Sequence, residues 1–119
     1  MADPKTIQKI SHELAQAAKA RAEANEGRAR VCARRAAGWT IEAFLQDKGE
    51  LIPTSNAFKL IQHFASLPGH TNQVKAVLHH LTVKLEKDSE DSDAYYPVEG
   101  VDLIEDARWL AEELLQTNF

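Results

Sequence analysis

Residues 26–47 constrain the fold most, because this segment is apolar on two helical faces at once. Cys32, Ala36, Trp39 and Ala43 lie along one strip of a helix. Ala33, Ala37, Ile41, Phe44 and Leu45 lie along another. A helix on the surface of a domain needs a single apolar stripe facing the core. Two stripes predict a central helix contacted from both sides. Ala33, Ala36, Ala37 and Gly38 are small enough to let neighbouring helices come close. Glycine costs about 1 kcal/mol against alanine inside a helix, so packing is the expected reason for Gly38.

The flanking chain repeats the helical period. Val, Ile and Thr are scattered at three- and four-residue steps rather than in alternating runs, so strand signals are nearly absent. Asp3-Pro4 is an N-cap followed by proline in the first turn. Ile7, Ile10, Leu14, Ala17, Ala18 and Arg21 then predict a helix over about 4–24. Asn25-Glu26-Gly27 predicts a break, in preference to one helix running through to residue 47. Lys48-Gly49 ends the second helix, and residues 50–54 form a connector. Ser55 is the expected cap of a third helix carrying Phe58, Leu60, Ile61, Phe64 and Leu67. Pro68-Gly69 stops it. Thr71 or Asn72 caps a fourth helix at about 72–87, with Val74, Val77, Leu78, Leu81 and Leu85 as its buried stripe. Residues 86–94 hold five acids and one base and predict a solvated acidic loop. Tyr95-Tyr96-Pro97 leads to a last helix over about 101–117, with Val101, Ile104, Ala107, Leu110, Ala111, Leu114 and Leu115 facing inward. The expected fold is all-α: a single domain over residues 1–119, built as a five-helix up-and-down bundle.

Composition excludes several classes of function. The chain has 119 residues, 44% of them hydrophobic, enough for one modest core. Its single cysteine, Cys32, rules out an intrachain disulfide and a multi-thiolate zinc site, and is expected to be a small core residue. No apolar run has the length of a membrane span, and Met1-Ala2-Asp3-Pro4-Lys5 lacks the order of a signal peptide. A cytoplasmic location is the expectation. The net charge of −4 excludes a general nucleic-acid coat, leaving no strong nucleic-acid signal. The charge is unevenly divided: residues 1–48 hold 9 bases and 6 acids, residues 49–119 hold 5 bases and 12 acids.

Two constellations could carry chemistry. Arg28 and Arg35 are seven apart and share one face of the second helix, while Arg30 and Arg34 are four apart and share another. Guanidinium groups on one side of a helix can fork onto phosphates or carboxylates. The alternative is pairing with Glu23, Glu26 or Glu42, or with the acidic C-terminal half. The second constellation is His79-His80 with Lys75 one turn before. A cation beside an imidazole suits metal-independent phosphodiester cleavage, but adjacent histidines point about 100° apart, so at most one faces a given cleft. Among His63, His70, His79 and His80 no pair has the i, i+4 spacing of a helical metal site, so no metal or other cofactor is expected. Glu112-Glu113 and Asp102, Glu105 and Asp106 read as the wet face of the last helix. Tyr96 is a candidate for stacking against a partner or for packing over the bundle end.

The order of these features resembles the HEPN family of small helical domains. The resemblance covers roughly residues 10–116 and is carried by CARRAAGWTIEAFLQDKG, then SNAFKLIQHFASL, then the Tyr96-Pro97 pair, then VDLIEDARWLAEELL. The resemblance implies a helical bundle, frequent homodimers and partnership with a minimal nucleotidyltransferase in toxin–antitoxin pairs. Many members are metal-independent ribonucleases that use an arginine, four to six further residues, then a histidine. Here Arg108 is followed by Trp, Leu, Ala, Glu, Glu and Leu, and the residues before His79 and His80 include Lys75 but no arginine. Tyr95 stands where the family often has an arginine. The expected function is therefore a binding module for a nucleotide or a partner, without catalysis of its own. Arg28, Arg34, Arg35, Lys75, His79, His80 and Tyr96 are its candidate contacts. A homodimer is expected because one short chain has little else to cover two apolar strips. The rivals are a degenerate ribonuclease using His79 or His80, and a structural scaffold whose arginines are all internally paired.

Overall fold

The computed structural model describes residues 3–82 and 101–119. The acidic segment 86–94, Leu85, Tyr95, Tyr96 and Pro97 lie outside the described residues. Five helices make up the fold among those described: α1 (Pro4–Ala22), α2 (Glu26–Asp47), α3 (Ala57–Ala65), α4 (Asn72–Thr82) and α5 (Leu103–Leu115).

Each helix begins where a short polar side chain can satisfy free backbone N–H groups. The Asp3 carboxylate accepts from the Lys5 N–H at 2.7 Å ahead of α1. Asn25 does the same for Arg28 at the start of α2, at 3.1 Å. The cap of α3 is Asn56, accepting from Lys59 at 2.9 Å, and not the expected Ser55. Thr54 decides this, because its hydroxyl accepts from the Asn56 N–H at 3.1 Å and sets the turn one residue later. Asp102 caps α5 through Ile104 and Glu105.

The ends of α1 and α2 share one device. After α2, the Gly49 N–H bonds to Gln46 and the Glu50 N–H to Leu45, with Gly49 at φ 73°. This is the six-residue Schellman closure, and glycine takes the left-handed position without a Cβ penalty. After α1, the Ala24 N–H bonds to Arg21 and the Asn25 N–H to Ala20, but here Ala24 takes the left-handed position, at φ 60°. The chain thus breaks just before Asn25, and Gly27, one of the expected breakers, sits inside α2.

α2 is the centre of the bundle, in contact with α1, α3 and α5. Ala29, Ala33, Ala36, Ala37 and Ile41 are fully buried, and Cys32 and Leu45 are 3% exposed. Most of both apolar strips is covered within the chain, while Trp39, Ala43 and Phe44 are partly buried. Among the described residues, the large hydrophobic side chains left exposed are Val31 and Leu51. The buried Thr40 hydroxyl donates to the Ala36 carbonyl at 2.9 Å, so it needs no partner from another helix. α3 crosses α2 at Gly38, where a Cβ would lie 2.9 Å from the Ala57 Cβ. The glycine is required by that approach. It brings Leu60, Ile61 and Phe64 into the core, each contributing on the order of 2 kcal/mol of apolar burial.

Candidate functional site

The site is built on one face of α2. Val31, Arg35, Gly38 and Glu42 follow at steps of four, three and four, so they point the same way, with Trp39 beside them. The start of α3 lies across from this face. The two elements enclose a cleft of about 400 Å³ whose walls include Val31, Arg34, Arg35, Trp39, Glu42 and Phe58. That volume falls in the range of small-molecule sites.

Each charged group here has a distinct environment. Arg35 donates through Nη1 to Glu13 of α1 at 3.0 Å. Half of the Arg35 side chain is exposed, whereas the Glu13 side chain is 9% exposed. Arg34 donates through Nε to the Leu81 carbonyl at 2.9 Å, at the end of α4, and its guanidinium lies 6.0 Å from the Phe58 ring centre. Lys9 places its ammonium 4.0 Å from the Trp39 ring centre. Glu42 is half-buried and makes no hydrogen bond or ion pair among the described residues. Cys32 lies behind the cleft on the α1 side. Burial, together with a hydrogen bond to Glu13, pushes its thiol up from the usual range, so it stays neutral.

The structure divides the residues expected from sequence. It brings Arg34 and Arg35 to the cleft. Arg28 is exposed near the start of α2, away from the cleft walls. Lys75 and His79 are exposed on α4, and neither lines the cleft. His80 faces α5, where its Nδ1 lies 3.0 Å from Oδ2 of Asp106. Tyr96 is outside the described residues. No group of three or more metal-ligating side chains occurs among the described residues. No described helix is long and apolar enough to cross a membrane.

No family model, curated protein or solved structure matches this chain.

The expected ion pairs are redistributed. Glu26 pairs with Arg21, at 2.8 Å, and not with the arginine cluster. Arg21 also reaches Asp102, at 2.8 Å. Asp102 and Asp106 were both expected on the wet face of α5. Instead Asp102 caps α5 and takes the Arg21 ion pair, while Asp106 is half-buried against His80. Burial pushes the Asp102 carboxyl up, but the bonds from Arg21 and the α5 backbone outweigh it and hold the group below the usual carboxylate range. Burial holds Asp106 above that range, with His80 opposing.

Glu13 is the residue that sequence reasoning missed. A signal was present: Glu13 stands three after Ile10 and four before Ala17, on the buried stripe of α1. A carboxylate on such a stripe needs a cation or donor facing it, and Arg35 supplies one.

Proposed function

We propose that this protein is a ligand-binding helical module, HEPN-like in character, that takes a nucleotide in the cleft between α2 and α3. The observation that carries the reading is the junction of Arg35, half-exposed, with Trp39 and Val31 in one cleft of about 400 Å³. A guanidinium offers paired donors to a phosphate, and its remaining N–H groups stay available while Nη1 is held by Glu13. The apolar walls give a base or sugar somewhere to leave water. Glu13 fixes the Arg35 side chain in advance, so less rotamer freedom is lost on binding. The HEPN resemblance adds a protein partner to this reading, a minimal nucleotidyltransferase whose nucleotide would reach the same cleft.

Titration calorimetry of the purified protein with nucleoside monophosphates tests the proposal. Binding should saturate at one nucleotide per chain. The double variant Arg35→Ala with Glu13→Gln should lose affinity at least tenfold while melting close to the parent. Absence of heat with every nucleotide would overturn the reading, and so would unchanged affinity in the double variant.

A further inference from the structure

The cleft carries a second charged group that phosphate binding does not use. Glu42 stands seven residues after Arg35 on the same face of α2, two turns or about 10.5 Å along the axis. It is half-buried and makes no hydrogen bond or ion pair among the described residues. Between the two charges Gly38 is packed against Ala57, and Trp39 lies beside them as the open apolar wall.

Resting on the nucleotide reading above, we propose that Glu42 makes the cleft selective for a guanosine monophosphate. The phosphate lies at Arg35, the base along Trp39, and the base edge meets the Glu42 carboxylate.

Guanine matches the Glu42 carboxylate in donors and acceptors. An ionised carboxylate presents two acceptor oxygens and no donor. The Watson–Crick edge of guanine presents two parallel donors, N1–H and the N2 amino group, so both oxygens can be satisfied at once. Adenine offers only its N6 amino group beside an acceptor nitrogen. Cytosine offers its N4 amino group beside an acceptor nitrogen, and uracil a single N3–H between two carbonyls. A half-buried acceptor left without a donor is penalised, so the mismatched bases lose more than one hydrogen bond. Base and phosphate lie at opposite ends of the nucleotide, as Glu42 and Arg35 do along the cleft.

Calorimetry on the intact protein separates this inference from the reading beneath it. GMP should bind at least tenfold more tightly than AMP, CMP or UMP. IMP, which keeps N1–H but lacks the N2 amino group, should bind at least threefold more weakly than GMP. Glu42→Gln replaces one acceptor by a donor. It should bring GMP and AMP within twofold of each other, with its melting temperature confirming the fold. If no nucleotide binds, the nucleotide reading itself fails. If all four bind alike, or Glu42→Gln keeps the guanine preference, the cleft remains a nucleotide site and the role given to Glu42 is wrong.

Discussion

Arg35 on α2 and Glu13 on α1 form a 3.0 Å ion pair in which the acid is buried and the base is half-exposed. The asymmetry sets how each reports on mutation. Removing the base strands a carboxylate where water cannot reach it, a loss of several kcal/mol for fully buried pairs and smaller where the cation was partly solvated. Arg35→Ala alone should cost about 2 kcal/mol in urea unfolding. Adding Glu13→Gln should recover most of that, since a neutral amide needs no cation. If the double variant is no more stable than the single, the pair is not what holds Arg35.

Asp102 should govern the acid limb of stability near α5. Its folded-state carboxyl titrates below the usual carboxylate range, so its stabilisation is complete above the unfolded value near 4. It is lost as pH falls through the lower folded value. Asp102→Ala removes both the cap and the Arg21 pair. Both partners are more than a third exposed, so the effect is dominated by the cap, about 1 kcal/mol at pH 7. The difference from the parent should shrink between pH 4 and pH 2 in thermal melts. A difference independent of pH would place the effect in packing.

The local periodicity that revealed α2 could not reveal these partners. The bounds of α2 are legible because two apolar strips and Lys48-Gly49 are features of neighbouring residues. Asn56 replaces Ser55 as the cap because two adjacent polar residues can each serve, and the Thr54 turn decides between them. Arg21 meets Asp102 across 81 positions and His80 meets Asp106 across 26, so nothing in either local pattern announces the pair. The arginines were legible as a cluster on α2, but spacing alone put Arg34 and Arg35 on different faces, and the cleft takes both because of where α3 and α4 come to rest.

Ala24 marks a place where the sequence can be improved. It holds the left-handed position that closes α1, which costs an L-residue about 1–2 kcal/mol. Glycine avoids that cost and loses part of the gain to its freer unfolded chain. Ala24→Gly should therefore raise stability by about 0.5–1 kcal/mol. A loss in chemical denaturation would show that the Ala24 methyl group contributes packing.

Gly38 should respond in the opposite direction. Gly38→Ala gains about 1 kcal/mol of helix propensity. It also drives a methyl group to 2.9 Å from the Ala57 Cβ and 3.1 Å from its Cα. Backbone cannot yield as a flexible side chain does, and overpacking of this kind costs about 1–3 kcal/mol. The net result should be a loss of about 1 kcal/mol, relieved when Ala57→Gly is added. A stabilised single variant would mean that α3 moves away without penalty.

The purified protein should leave RNA intact. Metal-independent cleavage needs a base at the 2′-hydroxyl and a fixed cation on the charge that develops at phosphorus. His80 has part of the first requirement, since Asp106 holds its Nδ1 and so orients the ring. The second requirement is poorly met. Lys75, one turn from His79, is an exposed point charge without the planar fork that grips two phosphate oxygens. The Nε of Arg34 is committed to the Leu81 carbonyl. Asp106 sets negative charge directly at His80, against an incoming phosphate, and the nearby arginines Arg21 and Arg108 are engaged by Asp102 and Glu105. Labelled single-stranded RNA incubated with and without chelator should remain full length. Chelator-resistant cleavage abolished by His80→Ala or His79→Ala would replace the binding reading with a catalytic one. It would also make Asp106 the residue that positions the base.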